Sequence, residues 1–162
     1  MVYRIVLFVH VLAAFLYLLA HGASIAVALR VRRETSAERV RTLLDLSRST
    51  VPVANAMLLA VVVCGVALGF LGHWWSARWI WLSIAILVLM FVAMARVVAP
   101  HFQRIRNAVG LVLVGRTWQR TGPESSPAEL ARALDSGSPA VVTGWVLAGW
   151  AAVLWMMLFK PF

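Results

Sequence analysis

The chain has 162 residues, of which 62% are apolar and only 13% charged, against about 25% charged in an ordinary soluble domain. A mean hydropathy of +0.87 and a single cysteine exclude a disordered chain, a collagen-like chain and a disulfide scaffold. The formal net charge is nevertheless +9, from 15 Lys and Arg against 6 Asp and Glu, and where those charges sit sets the topology.

Four apolar stretches follow one another along the chain: Ile5–Leu29, Val51–Leu71, Trp79–Ala99 and Val141–Phe159. Each is close to the roughly 20 residues that carry a helix across about 30 Å of hydrocarbon. Lipid offers no hydrogen-bond partner to the backbone, so the expected fold is all-α, a transmembrane four-helix bundle forming one domain over residues 1–162. The first stretch is longer than the apolar core of a secretory signal and is followed at once by Arg30, Arg32 and Arg33, so it reads as an uncleaved span.

Two connections, 30–50 and 100–140, collect most of the cations. Arg30, Arg32, Arg33, Arg39, Arg41 and Arg48 lie in or beside the first, and Arg96, Arg104, Arg106, Arg116, Arg120 and Arg132 in or beside the second. Only Arg4, Arg78 and Lys160 belong to the opposite side. The positive-inside rule therefore places both connections in the cytoplasm and both termini outside. Tyr3, Trp74, Trp75, Trp79 and Trp155 fall at the outer interface, and Trp118 and Trp145 at the inner one, where an apolar ring with a polar N–H or O–H is comfortable. Trp150 falls in mid-span and is expected between helices.

Short cytoplasmic amphipathic helices are expected in both connections. Thr35 with Glu38 and Ser126 with Glu129 have capping-box spacing, and Ala-Glu-x-x-Arg-x-Leu recurs at Ala37–Leu43 and Ala128–Leu134. A proline follows each, Pro52 and Pro139, where a fresh helix is expected to begin. The recurrence raises the possibility of two repeated hairpins related by an axis along the membrane normal. Phe102, Ile105, Val109 and Val112, ringed by Arg104, Arg106, Arg116 and Arg120, suit a further helix lying on an anionic inner leaflet.

The polar residues of the first span share one stripe. Tyr3, His10, Tyr17, His21, Ser24 and Ala28 recur at helical spacing, with His10 and His21 about 16 Å apart along the axis. Facing lipid would be costly, so the stripe belongs inside the bundle. There it could form interhelical hydrogen bonds. Alternatively, His10 and His21 could ligate b-type haem, with His73 and His101 as partners on the outer and inner sides. Copper is a third reading, with Met57, Met90, Met94, Met156 and Met157 adding soft thioether ligands, while Cys64 is a lone thiol without a CxxC partner. Gly65 and Gly69, and Gly144, Ala148 and Ala152, are small-residue seams that admit a close helix neighbour.

No span contains Asp or Glu, and no nucleophilic triad or phosphate-binding glycine loop is present. The expected function is therefore non-catalytic: an accessory or assembly subunit beside other membrane proteins, or a homo-oligomer, without a cofactor. The basic connections are accounted for by topology and anionic lipid at the cytoplasmic face, not by nucleic acid.

The run Leu7-Phe8-Val9-His10-Val11-Leu12-Ala13-Ala14 resembles the first helix of bacterial four-helix integral membrane proteins of unknown function, distantly similar to the CopD-type copper-resistance membrane domain. Tyr17 stands where that helix usually has Trp, and Leu19 and Ala20 where it has paired Gly. The resemblance implies a multi-pass protein of the bacterial inner membrane, with His10 as its most telling position.

Overall fold

A computed structural model describes residues 1–114, 117–135 and 139–161. Arg116, counted above among the basic residues around the Phe102 stripe, lies outside them. Helix α1 spans Val2–Val31 and α2 spans Ala37–Leu71. A 3-10 turn, Trp74–Ser76, leads to α3, Arg78–Ala93, which runs through a π-helical turn, Met94–Val98, into α4, Ala99–Ala108. A hairpin of β1, Leu111–Val114, and β2, Thr117–Arg120, precedes α5, Pro127–Asp135, and α6, Pro139–Phe159. Four helical stretches are long and apolar enough to cross a membrane, and the protein is an all-α, membrane-embedded bundle. Helix α1 packs along α2, α3 packs along α6, and a narrower α1–α6 contact joins the two pairs.

Both basic connections meet at one end of the bundle. Val27 and Val31 of α1, Val40 and Leu44 of α2, Ile105 and Ala108 of α4, Val109, and Leu130 and Leu134 of α5 share one buried core. Val31, Val40 and Val109 are fully buried. The membrane-crossing helices, by contrast, leave most of their large apolar side chains on the outside, as a lipid-facing surface should. The best-packed part of the protein is thus a small cap at the basic end.

The capping box at Ser126 is present. The Ser126 amide donates to Glu129 Oε2 at 2.9 Å, its hydroxyl donates to the same oxygen at 3.0 Å, and the Glu129 amide donates back to Ser126 Oγ at 3.4 Å. These bonds hold the Glu129 carboxyl below its usual range, the Ser126 amide contributing most. The box expected at Thr35 is not formed. The Arg33 and Glu34 amides close a turn on the Arg30 and Val31 carbonyls, and Ser36, with extended backbone, takes the N-cap position in place of Thr35, so α2 begins at Ala37 without a side-chain cap.

Nor does a new helix begin at Pro52. The expected amphipathic helix is the first part of α2, which continues through the proline. The ring leaves the Arg48 carbonyl, four residues back, without its helical amide donor, and the helix runs on past it. Ser47 Oγ donates to the Leu44 carbonyl and Thr50 Oγ1 to the Ser47 carbonyl, both at 2.8 Å, in the turn before Pro52. The two recurring Ala-Glu segments therefore differ: one is merged into a span and the other is the separate helix α5.

The second connection also departs from the expected single helix. Phe102, Ile105 and Val109 do form an apolar face, but it packs into the cap core and not onto lipid. The helix stops at Ala108 because Gly110 takes a left-handed backbone, φ +74. The alternating Leu111–Val114 run then pairs antiparallel with Thr117–Arg120, Val112 opposite Gln119 and Leu113 opposite Trp118. A Cβ on Gly110 would lie 2.8 Å from the Gly122 carbonyl oxygen. Gly110→Ala is therefore expected to cost about 1–2 kcal/mol from the left-handed backbone alone, with the clash added. A thermal melt in detergent should show the loss, and an unchanged midpoint would refute this role for the turn.

Ion pairs tie the cap together. Glu34 meets Arg30 at 3.0 Å and Arg39 at 3.7 Å, Arg32 meets Asp135, and Arg48 meets Asp45. Glu124 binds Arg120 at 2.6 Å and also Arg41, whose Nε donates to the Val109 carbonyl at 2.8 Å. The Arg120 hydrogen bond, with help from Arg41, holds the Glu124 carboxyl below its ordinary value of 4.5. A lowered folded value means that this contribution is complete above the ordinary value and disappears as pH falls through the folded one. Melting midpoints of the native protein and Glu124→Gln should therefore converge as pH falls through the lowered folded value. A difference that stays constant on acidification would contradict the sign.

Candidate functional site

The polar stripe of α1 lies where α1 meets α2 on one side and α6 on the other. His10 is buried and its Nδ1 donates to the Val61 carbonyl of α2 at 3.0 Å. A carbonyl only accepts, so Nδ1 carries the proton and Nε2 is the lone-pair nitrogen of the neutral ring. The imidazole sits in a notch made by Gly65, where a Cβ would come within 3.3 Å of His10 Cε1. One helical turn on, Gly69 makes a similar notch for the Trp75 indole. The Gly65–Gly69 seam thus admits rings, and not the backbone of a neighbouring helix.

Towards α6, Tyr17 lies 5.0 Å from the Trp150 ring and stacks on His21 at 5.5 Å, nearly parallel at 10°. Trp150 is buried between helices, as its mid-span position predicts. Ser24 Oγ is 2.9 Å from Thr50 Oγ1, one hydroxyl donating to the other across α1 and α2. Within the hydrocarbon such pairs replace water as the partner of each polar group.

Below this ladder, a cavity of about 340 Å³ opens between α1, the π-helical turn, α4 and α6. His21, His101, Arg96, Arg104 and Thr143 line its polar part, and Ile25, Ala28, Val97, Phe102, Val142 and Val146 are among its apolar walls. The structure thus brings His21 and His101 to one cavity. It does not bring His73 to His10: His73 is exposed, with φ 55, in the turn that ends α2, while His10 is enclosed opposite Val61 and Gly65. Among the described residues no three of His, Cys, Asp and Glu gather as a metal cluster. Met94 lines the cavity, whereas Met90 packs on Gly149, and Met156 Sδ lies 3.9 Å from the Ser83 hydroxyl.

The seam expected on α6 faces the other way. Gly144 and Ala148 are exposed, and nothing lies within 4 Å of a Cβ built on Gly144. The close α3–α6 approach is instead at Gly149, where a Cβ would collide with Met90 Sδ at 2.5 Å. Sequence reading missed Gly149, because it sits one residue off the four-residue spacing of the other small residues. It also missed the cavity, although Arg96 inside an apolar span was a signal of it. Against known protein families, curated proteins and solved structures, the chain matches none.

Proposed function

We propose that the protein is a non-catalytic accessory or assembly subunit that packs in the membrane against another membrane protein or a second copy of itself. The observation that carries this reading is the outward seam on α6: Gly144 and Ala148 offer a flat strip for close helix approach, yet both are exposed and, among the described residues, nothing lies within 4 Å of a Cβ built on Gly144. The charge asymmetry supports a setting in a bacterial inner membrane with both basic connections in the cytoplasm and both termini outside. A reporter fused after Phe162 should accordingly be active outside the cytoplasm; activity inside would refute that orientation. In mild detergent the protein should run as a homo-oligomer or bring a second subunit with it. Gly144→Leu with Ala148→Leu should release it as a monomer of unchanged melting midpoint. A lone monomer from the native chain would overturn the reading.

A second reading, a haem- or copper-handling redox protein, is favoured by the two imidazoles at one cavity and by the ligand-competent Nε2 of His10. It is in keeping with the resemblance to CopD-type domains. It requires a pigmented or metal-bearing protein whose visible band or metal content is lost in His21→Ala or His10→Ala. A colourless, metal-free and stable protein would sink it.

A further inference from the structure

The cavity at the basic end has an unusual charge pattern. Elsewhere at that end six arginines have carboxylates: Arg30 and Arg39 share Glu34, Arg41 and Arg120 share Glu124, Arg32 meets Asp135, and Arg48 meets Asp45; Arg33 and Arg132 have none among the described residues, but neither lines the cavity. Arg106 instead lies over the Trp118 ring, at 4.9 Å. Arg96 and Arg104 line the cavity and, among the described residues, neither has a carboxylate within 4 Å. Among the described residues no Asp or Glu lines the cavity. Both arginines are exposed at its mouth, whereas Ile25, Val142 and Val146 form apolar wall.

We propose that this cavity holds one anionic phospholipid of the surrounding leaflet, its phosphate between Arg96 and Arg104 and an acyl chain along the apolar wall. Two cations without a protein counterion attract a phosphate, and guanidinium groups bind it by charge-assisted hydrogen bonds. Basic pockets between membrane helices are places where acidic headgroups bind. A small soluble anion would meet the same arginines but would leave the apolar wall uncovered. The π-helical turn matters because it carries Arg96, Val97 and Val98 to the cavity while the same helix continues to His101 and Arg104. This site is distinct from the outward α6 seam and does not depend on whether a partner subunit exists.

The test uses the full chain in mild detergent, titrated with phosphatidylglycerol, with phosphatidylcholine of the same acyl chains, and with inorganic phosphate, and read by native mass spectrometry. Phosphatidylglycerol should be retained at about tenfold lower concentration than phosphatidylcholine. Arg96→Gln with Arg104→Gln should abolish that preference. Arg33→Gln with Arg132→Gln, which removes the same charge elsewhere at the basic end, should keep it. Ala28→Phe, which fills the cavity without altering charge, should also abolish retention, so charge and shape are tested by independent routes. Equal retention of the two lipids, or equal loss in both double-arginine variants, would overturn the proposal. So would inorganic phosphate displacing phosphatidylglycerol at equal concentration, or a haem or metal found in the cavity.

Discussion

Replacing Ile105 by alanine is expected to lower stability by about 2–5 kcal/mol, the range for emptying a well-packed core position. Ile105 is 1% exposed and touches the one core that joins α1, α2, α4 and α5. Unlike the lipid-facing residues, it has no solvent of apolar chains to take its place. The void therefore loses packing contacts on all sides. Two measurements check this. The melting midpoint in detergent should fall well below that of Leu158→Ala, a truncation of a side chain that is 76% exposed. Proteolysis should also increase first at the basic end, in the connection through Pro123. Equal midpoints for the two variants would show that the cap does not hold the helix pairs together.

Gly65→Leu is expected to cost about 1–3 kcal/mol, the usual consequence of overpacking. The added Cβ meets His10 Cε1 at 3.3 Å and Nδ1 at 3.7 Å, so the remaining Leu atoms must push the ring off the Val61 carbonyl. A buried donor without its acceptor then adds to the steric cost. Gly65→Ala, which needs only a small shift of the ring, should lose about 1 kcal/mol or less. The mechanism is specific enough for a double-mutant test. In His10→Ala with Gly65→Leu the new side chain occupies the emptied notch, so the pair should be less damaging than the sum of the singles. Strict additivity would mean that the notch and the ring are not coupled.

Much of the fold could be read from composition and periodicity. The four spans, the gathering of both basic connections at one end, the Ser126 cap and the interior position of the α1 stripe all follow from apolar length and charge placement. These are properties of single segments. What could not be read depends on pairs of segments. The continuation of α2 through Pro52 goes with its long packing along α1, and the start of α2 with a turn closed by Arg30 and Val31. The end of α4 rests on the positive φ of Gly110, and the hairpin after it on pairing with a strand six residues away. The same division holds at the site. His10, Tyr17, His21 and Ser24 are found on one interior stripe, but their partners, Val61, Trp150 and Thr50, lie on other helices. Small-residue spacing was ambiguous for a further reason: Gly65 and Gly69 admit rings, Gly149 admits a methionine, and Gly144 meets nothing among the described residues.

In the proposed role the outward α6 seam is covered by another helix in the membrane. Cysteine cross-linking in native membranes tests it most directly. In a Cys64→Ala background, Ala148→Cys should give an intermolecular cross-link to a second copy or to a partner subunit. Leu154→Cys is also at an exposed position but about a third of a turn away from the seam, and should give little or none. Cross-linking at position 148 that is absent, or no stronger than at position 154, would contradict the account.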